Sequence, residues 1–150
     1  MKNPQQMKNA FLALMLALIA LHAASMTRLT PNAKFSVLTC SPGPDLYSLF
    51  GHSAFRLQDT LGGELVDVVF NYGVFDAFDD GFYVKFARGK LDYRLQAEYY
   101  KYFLHAYARE GRGVWEQELN LTPLQKQRLF DLLQANVQEE NCVYRYDFFM

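Results

Sequence analysis

The sequence has little from which to build several common kinds of site. It holds two cysteines, Cys40 and Cys142, and three histidines. Neither cysteine belongs to a Cys-x-x-Cys pair and no His-Glu-x-x-His occurs, so no zinc centre is expected, and no other metal or cofactor is implied. One cysteine pair allows one disulfide in an oxidising compartment, yet the spacing does not demand it. Cys40 stands in a Thr-Cys-Ser-Pro-Gly turn and Cys142 in a polar Glu-Glu-Asn-Cys segment. An excess of positive charge is also missing: the net charge is −1, with no basic stripe, which argues against nucleic acid as a partner. No internal repeat or low-complexity stretch is present. What the chain has in quantity is aromatic rings, 13 Phe, 10 Tyr and 1 Trp, which suit either a dense core or an apolar substrate groove.

Lys2 and Lys8 precede a nearly unbroken apolar run, Ala10–Ala24, that closes on Ala23, Ala24 and Ser25. A charged start, an apolar middle and small residues at the end describe a secretory signal peptide over residues 1–25. A transmembrane span needs roughly 20 apolar residues, so this run is short for one, and an uncleaved membrane anchor is the alternative reading. The folded part is therefore expected to be periplasmic or otherwise extracytoplasmic. Residues 26–150 suffice for one hydrophobic core and one domain.

Along that domain, Phe35–Cys40 reads as a short buried strand ended by the Pro42-Gly43-Pro44 turn, with Asp45 capping one helical turn over 46–50. From His52 to Gln58 the pattern alternates. Ser53, Phe55 and Leu57 take one face, and His52, Ala54, Arg56 and Gln58 the other. Gly62 and Gly63 then join this strand to Leu65–Phe70 as an antiparallel hairpin, which Asn71-Tyr72-Gly73 ends. Acidic residues at 76–80 favour a helix start, with the helix running to about Ala87 and Gly89 beyond its end. Lys90–Gln96 reads as a strand, Ala97–Arg109 as a tyrosine-rich helix and Val114–Leu121 as a strand. Thr122-Pro123 opens a helix to about Glu139 with an apolar stripe of Leu124, Leu129, Leu132, Leu133 and Val137. Tyr144–Phe149 reads as the start of one more buried element. The sum is an α+β domain, an antiparallel sheet covered by helices.

His52 is the leading candidate for chemistry. It opens a strand directly after a glycine, and its unperturbed pKa near 6.5 suits a general base; the alternative is a histidine merely hydrogen-bonded at a sheet end. Cys40 is a candidate thiolate nucleophile paired with it, since turn amides and an imidazole lower a thiol pKa, against the alternative of an inert buried cysteine. Arg56, Lys85 and Arg88 are candidate clamps for a phosphate or carboxylate, where ordinary salt bridges or a solvated face are the bland reading. His105 reads as structural.

The order of motifs adds a resemblance. Leu38-Thr39-Cys40-Ser41-Pro42-Gly43 followed by Leu46-Tyr47-Ser48-Leu49-Phe50-Gly51-His52-Ser53-Ala54-Phe55-Arg56 closely resembles the opening of the Lnb N-terminal periplasmic domain family. Asn71-Tyr72-Gly73-Val74-Phe75-Asp76, then Phe82-Tyr83-Val84-Lys85-Phe86-Ala87-Arg88-Gly89 and Tyr93, follow in the family's order. The resemblance implies a lipoprotein N-acyltransferase type of domain with a circularly permuted papain-like fold, in which a histidine comes early and a cysteine later. His52 would be that histidine. A phospholipid and a lipoprotein N-terminus would be its partners at a membrane surface. Tyr93 and the aromatic helix would fit an acyl groove, Arg88 would meet the lipid phosphate, and Arg56 and Tyr72 would also bind the substrate. A non-catalytic periplasmic binding module and a Cys-His amidase or hydrolase are the alternatives. The segment Tyr144–Phe149 resembles one that leads, in the family, into an Asn-Cys motif bearing the nucleophile. The expectation is therefore that the natural protein continues past Met150 and that the present sequence lacks that cysteine. Cys142 follows an asparagine but precedes the aromatic run, which makes it a chance match.

Overall fold

The computed structural model describes residues 28–76 and 81–145. The predicted signal peptide, the 77–80 part of the acidic helix start and residues 146–150 lie outside it. Six strands form one antiparallel sheet: β1 Lys34–Cys40, β2 His52–Leu61, β3 Glu64–Val74, β4 Asp92–Tyr99, β5 Val114–Glu118 and β6 Val143–Arg145, in the order β5-β1-β2-β3-β4-β6. Among the described residues three helices accompany them, α1 Phe82–Ala87, α2 Tyr100–Arg109 and α3 Pro123–Asn136, with one 3-10 turn at Leu46–Ser48. The domain is α+β.

The predicted alternation in β2 determines how the layers assemble, because successive side chains point to opposite faces of a sheet. Leu57 joins Phe35, Phe70 and Leu95 beneath Phe130 and Leu133 of α3, with Phe55 packed against them. Ala54, on the other face, joins Leu38, Cys40 and Val69 beneath Phe103 of α2. A third cluster, Phe82, Leu91 and Tyr93 with Phe75, Phe86 and Tyr144, fills the end of the sheet beside α1. The abundant aromatic residues thus serve both the core and, in this third cluster, the wall of a cleft.

On the α2 face Arg56 holds four elements together. Its Nε and Nη2 donate to the two carboxylate oxygens of Asp67 on β3 at 2.8 and 2.7 Å, and Nη1 donates to Glu116 on β5 at 2.7 Å. The guanidinium also stacks on the Tyr100 ring of α2, 3.5 Å from its centroid. Between β2 and β5 lies β1, where the small buried Ser36 faces Arg56 and leaves the crossing open.

Several boundaries differ from the sequence expectation. β3 runs on through Asn71-Tyr72-Gly73 to Val74, because β4 supplies partners and a bulge between Asn71 and Val74 absorbs one extra residue. Ala97–Tyr99 continue β4, paired with Phe70, Val69 and Val68, before α2 begins. α1 starts at Phe82, with Gly81 at its N-cap. β5 stops at Glu118. α3 begins at the expected Thr122 cap with Pro123 in its first turn, and the cap is a reciprocal capping box with Gln125, but the helix ends at Asn136. Its expected apolar stripe is partly wrong, for Leu124 and Leu132 are each 63 % exposed. Leu129, Phe130, Leu133 and Val137 follow the three-and-four spacing of one helix face, and Leu124, about two and a half turns before Leu133, falls on the opposite side.

This corrected stripe predicts that Leu133→Ala costs about 2–4 kcal/mol, the usual range for a buried leucine, whereas Leu132→Ala changes stability by less than about 0.5 kcal/mol. Urea midpoints at constant slope measure both. Equal losses would contradict the packing described.

Candidate functional site

A cavity of about 720 Å³ opens where β2 begins and β3 bulges. His52, Asn71, Tyr72, Gly73, Phe75, Phe86, Tyr93, Tyr107, Arg112 and Tyr144 contribute to its walls. Two glycines shape it. Gly51, at φ +77, turns the chain into β2 so closely over β1 that an added Cβ would lie 2.6 Å from the Cys40 carbonyl oxygen. Gly73, at φ +83, forms the bulge, and its missing side chain faces the His52 ring, whose Cε1 would lie 3.8 Å from a Cβ there.

The histidine's hydrogen bonds assign its tautomer. Asn71 Nδ2 donates to Glu98 Oε1 at 3.3 Å. A carboxylate only accepts, so the amide presents its Oδ1 to His52 Nε2, 2.6 Å away. Nε2 therefore carries the proton and Nδ1 keeps the lone pair of a base. Tyr107 of α2 stacks almost parallel to the imidazole, with 6.5 Å between centroids and 14° between planes. Arg112 in turn lies over Tyr107, 4.6 Å from its centroid, and donates from Nε to the Ser41 carbonyl at 2.9 Å. Burial lowers the His52 pKa below its usual 6.5, the Asn71 hydrogen bond opposes this, and the Arg112 charge adds to the lowering. The imidazole is held neutral around physiological pH.

Cys40 is the direct cross-strand partner of His52, but its environment reverses the expected activation. At 2 % exposure it belongs to the core beneath α2. Burial pushes its thiol pKa up, which outweighs the hydrogen bond from Tyr107 and the Arg112 charge. Tyr107 is itself raised by burial and by the neighbouring Cys40. Cys142, also buried, donates to the Glu139 carbonyl at 3.6 Å. Both thiols are free, so the single disulfide that the composition allowed is not formed.

The other predicted residues separate into two groups. Tyr72 and Tyr93 line the cavity with His52. Tyr72 is tied down by Asn136, whose Nδ2 donates to its hydroxyl at 3.0 Å. Tyr93 is only 6 % exposed, and its buried hydroxyl has no hydrogen-bonding partner among the described residues. Arg56 is occupied by Asp67 and Glu116, and Arg88 is exposed at the end of α1; neither is among the residues lining the cavity. Lys85 is half-buried on α1, and His105 is exposed on α2. Sequence reasoning missed Asn71, Glu98 and Arg112 as site residues, and Tyr107 was expected only as part of the aromatic helix lining a groove. The available signals were an asparagine two residues before a bulge-forming glycine, and an arginine between Gly111 and Gly113 directly after an aromatic helix.

Among the described residues no three His, Cys, Asp or Glu side chains gather as a metal site, and no helix is long and apolar enough to cross a membrane. No curated protein and no solved structure matches the chain. Residues 25–150, however, match the model of the Lnb N-terminal periplasmic domain. That span takes in the glycine-histidine turn, the asparagine-tyrosine-glycine bulge and every wall of the cavity, and the chain therefore belongs to the family of Lnb N-terminal periplasmic domains.

Proposed function

We propose that this domain carries the histidine side of a Cys-His acyltransferase site, which moves a fatty acyl chain from a phospholipid to the amino group of a lipoprotein's N-terminal cysteine. One observation carries the reading: a desolvated, neutral imidazole fixed by Asn71 forms part of the wall of a largely aromatic cavity. The family suggests an extracytoplasmic location, where both proposed substrates are found. Imidazole, asparagine and thiol are the groups of a papain-like site, and a circularly permuted version of that fold is part of the proposal.

In this reading Nδ1 takes the proton of a thiol, and the thiolate attacks the ester carbonyl. The imidazolium returns its proton to the departing lysophospholipid oxygen, which leaves a thioester. The acceptor amine then attacks the thioester, His52 accepts its proton, and the thiol is released. Phe75, Phe86, Tyr93 and Tyr144 would take the acyl chain. The same imidazole would serve an amidase, but the aromatic walls favour a long apolar substrate. Cys40 is a poor nucleophile here, because a buried thiol with a raised pKa yields little thiolate. We assign it to packing, and the reading requires a second thiol at the cavity.

In an assay with a phospholipid donor and a lipoprotein peptide, His52→Ala should lower transfer by about 10²–10⁴-fold, the contribution typical of a general base. Mass spectrometry of the peptide reads the result, and unchanged transfer by a folded variant refutes the assignment.

A pH series should place the acid limb of kcat/KM below 6.5, because the base form persists to lower pH than in a free histidine. The same depression makes the folded state more stable above 6.5 and less stable as the pH falls through the folded value. Arg112→Ala removes one cause of the lowering and should move the His52 midpoint upward, read from its ring-proton NMR titration.

Cys40→Ser should cost about 1–3 kcal/mol, the penalty for placing a more polar group in a packed site, while acyl transfer continues. Iodoacetamide should modify native Cys40 far more slowly than the unfolded chain. A thioester trapped on Cys40 would place the nucleophile there instead.

A further inference from the structure

The cavity mouth is flanked by side chains that the acyl-transfer reading does not use. Phe50, at the end of the Pro42–Gly51 loop, is 94 % exposed, and Leu46 and Leu49 beside it are about half exposed. Across the opening, Tyr83 and Val84 on the outer side of α1 are more than half exposed. The two segments are joined beneath these tips. Tyr47 makes edge contacts with Phe75 at 5.1 Å and Phe82 at 6.0 Å, and Tyr47, Ser48, Gly51, Phe75 and Phe86 all line the cavity. Leu46, Leu49, Phe50, Tyr83 and Val84 therefore form one apolar rim on a single supported base.

Exposed apolar tips of this number around one opening mark an interaction site, and two features select its occupant. The first is charge. Arg88 lies one turn beyond Val84, which places both on the same side of α1, and the exposed Lys90 follows. Apolar and aromatic tips backed by cations are the arrangement that settles at the boundary between acyl chains and phosphate headgroups. The second is the shape of the rim: its members belong to two short segments on either side of a mouth, so lipid can fill the space between them.

We propose that this rim docks the domain onto a phospholipid surface, with Phe50 and Leu49 entering the acyl boundary and Arg88 and Lys90 meeting lipid phosphate. The cavity mouth then faces the phase that holds the donor. The choice of lipid as occupant rests on the acyl-transfer reading, and the test separates the two.

The full chain carrying Trp115→Phe and Phe50→Trp has its only tryptophan at the rim. Mixed with vesicles of phosphatidylglycerol and phosphatidylethanolamine, it should show emission shifted to shorter wavelength and quenched by brominated acyl chains. A control with Trp115→Phe and Leu65→Trp has its tryptophan at the β2–β3 turn, at the opposite end of these strands from His52, and should show neither effect. Unchanged emission at position 50, or equal changes at 50 and 65, overturns the docking site. Both probe positions are exposed, so the substitutions leave the core intact. Leu49→Ser with Phe50→Ser should abolish transfer from vesicles and leave transfer from a monomeric short-chain donor unchanged. Loss from both donors would overturn the rim's role as a docking device. If position 50 enters the bilayer while His52→Ala keeps full transfer, docking stands and the acyltransferase reading falls.

Discussion

Arg56 is the tie on which the α2 face of this domain depends. It starts on β2, crosses β1, reaches Glu116 on β5, pairs with Asp67 on β3 and lies under Tyr100 of α2. A buried ion pair of this kind is weak evidence for net stability, because well-packed apolar residues often replace it without loss. Its geometry is demanding, however. The bidentate contact to Asp67 and the reach to Glu116 close together only when β5, β1, β2 and β3 are all in register. We regard this registry as its contribution.

His52 inherits that register four residues earlier on the same strand face. A slip of one residue would carry every β2 side chain to the other face, placing the imidazole under α3 and the apolar residues at the cavity. In the observed register, Asn71 on β3 and Tyr107 on α2 converge on the ring from separate elements. Gly73 removes a side chain that would stand against the ring, and Gly51 lets the chain pass close over the Cys40 carbonyl as it enters β2. The result is a histidine with one nitrogen protonated by geometry, its charged form disfavoured by burial, and an aromatic cavity beside it.

Much of the framework was legible locally. The alternation from His52 to Gln58 assigned the faces of β2 correctly, the Gly62-Gly63 turn gave the hairpin, and Thr122-Pro123 gave the start of α3. The failures share a cause. Asn71-Tyr72-Gly73 has the composition of a turn, and only the neighbouring β4 makes it a bulged strand. Ala97–Tyr99 suit a helix until β3 offers a ladder. Leu132 is as apolar as Leu133, and only the direction in which α3 meets the sheet separates them, whereas Leu124 lies opposite Leu133 by helical period alone. The site was less legible than the fold, for Glu98 is 27 residues from Asn71, and Arg112 is 60 residues from His52.

By itself the sequence determined the alternating face that carries His52, the glycine that turns the chain before it, the helix cap at Thr122 and the family to which the chain belongs. These are properties of neighbouring residues, fixed by backbone sterics and by side-chain period. Only the tertiary structure decided which nitrogen of His52 holds the proton, that Cys40 is a packed thiol rather than an activated one, and that Arg56 links strands instead of lining the cavity. Those properties depend on desolvation and on hydrogen-bond partners brought together from distant positions, and no local pattern encodes the distance between them.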